Sequence, residues 1–196
     1  MVATLGPELH AQLLEVVKER GYTRREEPFR LAAGGYSHDY VDMRRAVGAG
    51  EDLRRCAEAV IAALEGVDYV AIGGMTMGAD PLSHAVALLS GKRWYSVRKA
   101  EKDHGAGRRI EGSELGPATP VVVFEDTVST GQSLLDALDV VKETGAPIAA
   151  CLTVLDRGEV ASRRFAERGV SYLPLLTYRD LGIEPLGEGT GAATSP

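Results

Sequence analysis

Cysteine and histidine are scarce, since the chain of 196 residues has 2 Cys and 4 His. Cys56 and Cys151 both lie in apolar segments, which is typical of small core residues in a protein kept reduced in the cytoplasm. No cluster of Cys and His occurs, which argues strongly against a zinc site built from those ligands. These shortages argue against disulfide-stabilised scaffolds and zinc-binding modules.

Long apolar runs are also missing, because the longest are only a handful of residues and a bilayer span needs ~20. Residues 1–21 predict an amphipathic helix, and they lack the basic start and the continuous apolar stretch of a signal peptide. Acidic residues outnumber basic ones, 28 to 22, and the formal net charge is −6. This balance argues against general binding of nucleic acid. We therefore expect a cytoplasmic protein whose partners include neither membrane nor nucleic acid.

The remaining composition is that of a globular protein, with 44% hydrophobic and 26% charged residues. Helical patterns at 51–64, 79–89, 131–143 and 158–168 alternate with strand-like runs at 69–74, 94–97, 121–124, 148–155 and 171–176. This alternation predicts an α/β fold with a mainly parallel sheet covered by helices on both faces. We expect one domain over residues 1–186 and a disordered, glycine-rich tail over 187–196. In such folds ligands bind at the carboxyl ends of the strands.

Two acids, Glu125 and Asp126, follow the strand predicted at 121–124, and a turn rich in small hydroxyl residues leads from them into a helix. Free N–H groups at a helix start favour a bound dianion, and Gly131 lets the chain approach it closely. Adjacent carboxylates beside a phosphate are repulsive unless they serve ribose hydroxyls or a divalent cation. The same residue types also make a simple N-capping turn, so both interpretations stay open here. The Walker A pattern is absent.

Residues 121–133, VVVFEDTVSTGQS, resemble the phosphoribosyl-pyrophosphate signature of type I phosphoribosyltransferases. The resemblance implies that Glu125 and Asp126 hold the ribose hydroxyls, with a catalytic role for Asp126. It assigns the 5′-phosphate to the residues that follow: Thr127, Val128, Ser129, Thr130, Gly131 and Ser133. It also implies the type I phosphoribosyltransferase fold, with a small hood formed by about residues 1–45 and the C-terminal part.

Residues 92–109 hold seven Lys/Arg and two acids, a local charge of +5 in an acidic chain. A glycine-containing loop of this kind suits a polyanionic ligand, although a solvated surface loop has the same composition. Its order, RKAEKDHG followed by IEG at 110–112, resembles the mobile lid of orotate phosphoribosyltransferases. That resemblance implies that Arg98, Lys99, Lys102 and His104 contact pyrophosphate in the neighbouring subunit's site, the last three as catalytic residues. It therefore implies a homodimer with shared active sites.

The segment 72–81, IGGMTMGADP, resembles the GGxTxGADP stretch of actinobacterial-type orotate enzymes. Its glycines suit close approach of the backbone to pyrophosphate, and we predict that Gly74 contacts substrate. A tight turn between strand and helix has the same pattern. Met77 stands where many members of the family have a pyrophosphate-binding lysine.

Arg157 stands with Asp156 at the end of the strand predicted at 148–155. An arginine there can bind a carboxylate through two parallel hydrogen bonds. In the orotate family, the matching arginine contacts the carboxylate of orotate. A surface ion pair or a helix cap is the alternative interpretation.

The hood region at 31–45, LAAGGYSHDYVDMRR, departs from the family pattern. No basic residue lies at 32–35, and Asp39-Tyr40 replaces a pair of aromatics, although Tyr40 can still stack on a flat base. In the segment 121–133, Gln132 stands where glycine is common. The residues at the end of the site that binds the base thus differ in part from the family pattern.

Together these segments predict Mg²⁺-dependent transfer of the phosphoribosyl group from phosphoribosyl pyrophosphate to orotate, giving orotidine 5′-monophosphate and pyrophosphate. Mg²⁺ is expected to bind mainly through substrate oxygens, with Glu125 and Asp126 as the candidate protein ligands. Two alternatives stay open. One is transfer to a different heterocyclic base in a specialised pathway, and the other is a non-catalytic regulator that senses phosphoribosyl pyrophosphate.

Overall fold

The structure is a computed structural model that describes residues 5–30, 36–100 and 109–186. Two predicted lid residues, Lys102 and His104, lie outside the described residues, and so does the predicted tail 187–196. The described strands are β1 (Tyr22–Arg30), β2 (Tyr36–Val41), β3 (Ala71–Met75), β4 (Arg93–Val97), β5 (Ile110–Gly112), β6 (Val121–Val128), β7 (Ile148–Asp156) and β8 (Tyr172–Thr177). The described helices are α1 (Pro7–Val16), α2 (Met43–Ala46), α3 (Gly50–Ala63), α4 (Asp80–Ser90), α5 (Gln132–Glu143), α6 (Ala161–Glu167) and α7 (Tyr178–Leu181).

Six strands form the central sheet in the order β5-β4-β3-β6-β7-β8. Neighbouring strands are parallel except for β4 and β5, and β1 pairs with β2 in a separate antiparallel hairpin. The mainly parallel sheet predicted from the alternation of strands and helices is confirmed. Because β3 and β6 are parallel neighbours, their carboxyl ends lie side by side at one edge of the sheet.

The hydrophobic core lies on both faces of the sheet, and β6 shows why. Val122 and Phe124 belong to the cluster that includes residues of α1, α3 and α4, whereas Val121 and Val123 belong to the cluster that includes α5 and α6. Alternate side chains of a strand point to opposite faces, so a strand covered on both sides is apolar throughout. The predicted apolar face of α5, namely Leu134, Leu135, Leu138 and Val141, is buried as expected.

Cys56 and Cys151 lie in these two separate clusters, and neither is exposed to solvent. Burial raises the pKa of each thiol to about 12. Both are therefore unreactive core residues, in agreement with the sequence pattern. Among the described helices, none has the length and apolar character that crossing a membrane requires.

The β1–β2 hairpin is not predicted by the sequence pattern. Most side chains of β1 are exposed, so this strand lacks the apolar alternation by which a half-buried strand is recognised. The first helix is shorter than the predicted 1–21, because α1 ends at Val16 and a π-helical turn, Val17–Gly21, leads into β1. The elements β5, α2 and α7 span only three or four residues each, too few for a periodic pattern.

β6 extends beyond the predicted end at residue 124. Thr127 pairs with Leu155 and Val128 with Asp156 of β7, so the hydrogen-bonded ladder carries the strand past its apolar run. Glu125 and Asp126 therefore stand within a strand and not in a loop. The turn into α5 is correspondingly short and covers residues 129–131.

Candidate active site

A cleft of about 450 Å³ opens where β3 and β6 end side by side. One wall is the turn after β3, residues 75–78. The other lining residues carry charged or hydroxyl side chains, and they are Arg44, Lys99, Glu125, Thr127 and Ser133. The fold thus brings four of the predicted site residues into one cleft, at the carboxyl edge expected of a parallel sheet.

The carboxyl groups of Glu125 and Asp126 converge on Gly78. A Cβ atom at position 78 would lie 2.7 Å from Glu125 Oε1 and 2.9 Å from Asp126 Oδ1, so only glycine fits there without a shift. Burial and the charge of Asp126 raise the pKa of Glu125 well above its usual value. Burial also raises the pKa of Asp126, and the N–H of Thr127, 2.6 Å from Oδ1, opposes that rise only in part. Hydrogen-bond donors or a cation bound beside the pair would therefore stabilise its ionised form.

The phosphate turn is defined here as residues 129–131. Gly131 has φ +79° and is the N-cap of α5, in the left-handed region that favours glycine. No side chain caps this helix, so the hydroxyl groups around it are not used as an N-cap. The alternative of a simple capping turn is wrong, and the N–H groups at the start of α5 have no side-chain acceptor.

Carbonyl groups of the phosphate turn are held by other parts of the protein. Arg164 Nη1 donates to the carbonyl of Thr130 at 2.6 Å. The carbonyl of Ser129 lies so close to Gly158 that a Cβ there would approach it to 1.9 Å. The side chain of Val128 is buried in the core, and its carbonyl accepts the N–H of Arg157 at 2.7 Å. The carbonyl of Thr130 is thus occupied by a donor within the fold, and that of Ser129 is packed against Gly158.

Arg157 is buried, with 5% of its surface exposed, at the end of β7. Its Nη2 donates to the main-chain carbonyl of Asp39 at 2.7 Å, while its Nε has no partner among the described residues. Burial lowers the pKa of Arg157, as expected for a guanidinium withdrawn from water. A surface ion pair is therefore wrong for this residue, and an unsatisfied N–H remains for a ligand.

Asp156 fixes the loop that carries Arg157. Its Oδ1 accepts the N–H of Gly158 at 2.9 Å, and its Oδ2 accepts the hydroxyl of Tyr172 at 2.9 Å. The loop also receives a hydrogen bond from Leu186 N to the carbonyl of Arg157 at 2.6 Å. The arginine thus projects from a well-fixed backbone.

Asp39 of β2, and not its neighbour Tyr40, carries the side-chain network beside Arg157. Its carboxylate is 6% exposed and accepts from the hydroxyl of Tyr22 at 2.8 Å and from Arg24 Nη1 at 2.9 Å. Neighbouring residues of a strand point to opposite faces. The ring of Tyr40 instead packs edge-on against Phe29, with the Arg25 guanidinium 4.5 Å from its centre. Stacking of Tyr40 on a base therefore stays a prediction.

The first residues of the predicted lid emerge beside the cleft. Lys99 lines it, whereas Arg98 does not and lies with Nη1 3.5 Å from Glu111 Oε1. Arg109 donates to the carbonyls of Arg98 at 3.0 Å and of Lys99 at 3.3 Å, and so holds the two ends of the segment together. Lys102 and His104 fall in the part of the chain that is not described.

Known relatives align over nearly the whole chain. The orotate phosphoribosyltransferase of Corynebacterium glutamicum ATCC 13032 is 36% identical over 182 residues, which cover 92% of this chain and 97% of the relative. The chain belongs to the orotate phosphoribosyltransferase family. The crystal structure of the Mycobacterium tuberculosis H37Rv enzyme in complex with Fe(III) dicitrate has a TM-score of 0.78 and 33% identity, covering 89% of this chain and 99% of that chain. No protein-family model matches the chain.

The same mycobacterial orotate phosphoribosyltransferase has a structure in complex with phosphoribosyl pyrophosphate. It is 31% identical, with a TM-score of 0.75, and covers 89% of this chain and 99% of that chain. The predicted type I phosphoribosyltransferase fold is confirmed by these similarities. As a member of this family, the chain is a glycosyltransferase-type enzyme.

Gly74, a predicted substrate contact of this family member, lies inside β3. A Cβ there would come within 1.8 Å of the carbonyl of Phe124, so the residue allows two strands to approach closely. The glycine that lines the cleft is Gly78. Contact between Gly74 and substrate stays a prediction, and the fold gives this glycine a packing role of its own.

The acid pair also decides how the family member can hold a metal ion. Among the described residues, no group of three or more His, Cys, Asp or Glu side chains is arranged to hold one. Glu125 and Asp126 supply two carboxyls whose pKa values are raised, mainly by burial. The residues therefore fit Mg²⁺ only when substrate or water oxygens complete its coordination.

Sequence reasoning missed three residues of this site. Arg44 of α2 lines the cleft, Arg164 of α6 holds the phosphate turn, and Asp80 accepts hydrogen bonds from Thr76 and Ser96, each at 2.6 Å. Asp80 lies within the stretch 72–81, IGGMTMGADP, whose resemblance to the family could have indicated a role for it. Arg44 lies in the stretch 31–45, but only the packing of α2 distinguishes it from Arg45.

Proposed function

We propose that the protein catalyses Mg²⁺-dependent transfer of the phosphoribosyl group from phosphoribosyl pyrophosphate to orotate, giving orotidine 5′-monophosphate and pyrophosphate. One observation carries the proposal. A cleft that contains the acid pair and the N-terminus of α5 lies at the end of β6, and the last residue of β6, Val128, accepts the N–H of Arg157, a buried arginine whose Nε has no partner among the described residues. These groups match a ribose, a phosphate and a carboxylate, in that order.

The sugar phosphate is assigned to the carboxyl end of β6. Vicinal ribose hydroxyls would donate to Glu125 and Asp126 and would stabilise the ionised form of carboxyls whose pKa values are raised mainly by burial. The 5′-phosphate would accept N–H groups at the start of α5, with hydroxyl donors beside it. The residues assigned to the phosphate are Thr127, Val128, Ser129, Thr130, Gly131 and Ser133. Thr127, Val128, Ser129 and Thr130 are assigned to it mainly through main-chain groups.

The base is assigned to Arg157. A carboxylate on the heterocycle would accept its unpartnered Nε–H, and a planar guanidinium favours two parallel bonds. The ring nitrogen of the base then attacks the anomeric carbon of the sugar and gives up its proton to the departing pyrophosphate or to water. The bond from that carbon to the pyrophosphate oxygen breaks, and its electron pair leaves with pyrophosphate.

Stabilisation of the departing pyrophosphate is assigned to the lid. Lys99 lines the cleft of its own subunit in the structure, so the lid starts beside an active site. When it closes over the partner's site, Arg98, Lys99, Lys102 and His104 would add positive charge there. Catalysis on this view is mainly positional and electrostatic. Mg²⁺ would be held by substrate oxygens with Glu125 or Asp126, and when bound it neutralises charge on the diphosphate.

The proposal includes a homodimer in which each lid serves the partner's site. An apolar surface supports it, since Leu88 and Leu89 of α4 are 83% and 47% exposed and Trp94 of β4 is 39% exposed. β4 leads directly into the lid and α4 precedes β4, so we propose that this apolar surface belongs to the dimer interface. We also propose that the enzyme acts in the cytoplasm, where its two buried thiols stay reduced.

Residues 1–186 are proposed to form one domain in which the β1–β2 hairpin belongs to the hood. Support comes from the core, because Leu13 and Val16 of α1 and Met43 of α2 share a hydrophobic cluster with the sheet. The hood is thus packed on the same core as the catalytic edge. The bond from Arg157 to the Asp39 carbonyl joins β2 to the base site.

A base-panel assay tests the proposed reaction. Purified protein with phosphoribosyl pyrophosphate and Mg²⁺ is offered orotate, uracil, hypoxanthine and nicotinate, and release of pyrophosphate is measured. Orotate should give the largest kcat/KM. Turnover of another base without orotate would favour the second candidate function, which the buried Asp39 beside Arg157 motivates. Tight binding of phosphoribosyl pyrophosphate with no pyrophosphate release for any base would favour a sensor.

A further inference from the structure

Arg44 is directed into the cleft by the packing of the short helix α2. Asp42 caps this helix, because its Oδ1 accepts the N–H groups of Arg44 at 3.1 Å and of Arg45 at 3.2 Å. Met43 and Ala46 are buried in the core, which fixes the rotation of the helix. Arg44 then lines the cleft, whereas Arg45 turns to Thr23, with Nη1 3.3 Å from its hydroxyl.

The cleft is otherwise poor in positive charge for a ligand with a diphosphate. Among the described residues that line it, the cations are Arg44 and Lys99, and they share it with Glu125. The charge of Arg44 reaches the acid pair, since it opposes the rise in the pKa of Asp126. Arg44 itself is about half exposed, and its ion-pair contact with Asp42 is long, at 3.7 Å. Its guanidinium is therefore not held by a strong internal partner.

The turn after β3 faces the same cleft and supplies no cation. Thr76, Met77 and Gly78 line the cleft, and the side chain of Met77 is 64% exposed. The turn is fixed from behind, because Thr76 Oγ1 donates to Asp80 at 2.6 Å. A diphosphate lying along this turn would find backbone N–H groups there but would need its charge matched from another element.

We propose that Arg44 binds the diphosphate of phosphoribosyl pyrophosphate, from the same subunit as the acid pair. The inference rests on the proposed function and adds a residue to it. The planar fork of an arginine suits two oxygens of a phosphate group, which the point charge of Lys99 does not match. Arg44 then holds the leaving group from the subunit that carries the acid pair, and the lid adds its charge from the other subunit.

Paired variants test the assignment: Arg44→Met and, as a matched control, Arg45→Met. Calorimetric titration with pyrophosphate and Mg²⁺ should show affinity reduced about 10- to 100-fold for Arg44→Met and about unchanged for Arg45→Met. Titration with ribose 5-phosphate should give the same affinity in both variants, because that ligand lacks the diphosphate. Thermal unfolding of the two variants is compared to verify that both are folded.

The outcomes separate this inference from the proposed reaction. Equal pyrophosphate affinity in the two variants would overturn the role of Arg44. So would an equal loss for pyrophosphate and ribose 5-phosphate, which would place Arg44 elsewhere in the site or in folding. The reaction itself is judged on the wild-type protein with orotate. Its failure there leaves the pyrophosphate titrations valid, since they require no turnover.

Discussion

Arg164 Nη1 donates a hydrogen bond to the main-chain carbonyl of Thr130 at 2.6 Å. Its Nη2 donates to Gln132 Oε1, also at 2.6 Å, and Gln132 in turn donates to Asp136 at 2.6 Å. One arginine of α6 thus holds both a carbonyl of the phosphate turn and the first residue of α5. A carbonyl oxygen directed at a phosphate dianion would repel it, and this bond keeps the oxygen of Thr130 directed at Arg164.

Arg164→Met should therefore weaken binding of phosphoribosyl pyrophosphate without changing the chemistry. We expect KM for this substrate to rise about tenfold, the usual effect of losing one charge-assisted hydrogen bond. The kcat and the KM for orotate should change by less than about threefold. The control is Arg163→Met, because Arg163 is exposed and its ion-pair contact is with Glu167, at 3.8 Å. Similar KM values for the two variants would show that Arg164 does not position the turn.

Removing one carboxyl of the acid pair should stabilise the ligand-free protein at neutral pH. The pKa of Glu125 is raised in the folded state, so folding favours its protonated form. Its stabilising contribution is complete below the ordinary carboxyl pKa of about 4 and is lost as pH rises through the folded value. Glu125→Gln cannot ionise, so the variant does not lose this stability as pH rises. Its Tm at neutral pH should exceed the wild-type value by about 2–4 °C, which corresponds to ~1 kcal/mol in a chain of this length.

The stability gain should shrink as pH falls through the raised pKa of Glu125, because the wild-type carboxyl then becomes protonated. Turnover should nevertheless be lost, since glutamine cannot accept both ribose hydroxyls as a carboxylate does. Scanning calorimetry at several pH values checks the first effect and pyrophosphate release the second. Glu143→Gln, at the exposed end of α5, is the control and should leave Tm nearly constant. A pH-independent gain, or a lower Tm at neutral pH, contradicts the account of the pair.

Elements that bury a regular apolar pattern could be predicted from the sequence, and residues placed by tertiary packing could not. The apolar face of α5 and the apolar run at 121–124 could be recognised in the sequence. Burial on one or both faces requires apolar residues at regular positions, and that spacing is visible without the structure. Arg44 and Arg164 are placed by the rotation of α2 and α6 against the core, which no local pattern records. Asp39 and Tyr40 show the same limit, because their alternation along β2 decides which of them lies beside Arg157.

The carboxylate of Asp39 should reduce the preference of the base site for an anionic base. It is buried beside Arg157, whose Nη2 bonds to the carbonyl of the same residue. A carboxylate on the base would then be attracted by Arg157 and repelled by Asp39. Asp39→Asn keeps an acceptor for the hydroxyl of Tyr22 and removes the charge. We expect kcat/KM for orotate to rise about three- to tenfold, the effect of a charge interaction near 1 kcal/mol.

Uracil, which lacks the carboxylate, is the matched comparison for Asp39→Asn. The kcat/KM for uracil should stay within about twofold of the wild-type value, because uracil carries no carboxylate charge that could interact with residue 39. Thermal unfolding reports whether loss of the pair with Arg24 has loosened the hairpin. Parallel changes for orotate and uracil, in either direction, would indicate a structural role for Asp39 and no part in selecting the base.

The proposed sharing of lids between subunits predicts that two inactive chains restore activity when mixed. Lys102→Ala removes a lid charge and should lower kcat by about 10²–10³, and Asp126→Asn should be similarly impaired at the ribose. In a mixed dimer, one site receives Lys102 from one chain and Asp126 from the other. Random pairing makes half of the dimers mixed, so activity should recover to about a quarter of the wild-type value per site.

Co-expression of the two tagged chains, with purification of the mixed dimer, makes the subunit test quantitative. The mixed dimer should have one active site of two, and titration with a tight-binding product should count it. Lys92→Ala is the control for removal of a lysine charge away from the site, because Lys92 lies 5.0 Å from the ring centre of Tyr69 and outside the cleft. Its kcat should stay within about twofold of wild type, as for other surface substitutions. If each lid closed over its own subunit's site, the mixed dimer would be no more active than the mean of its two parents.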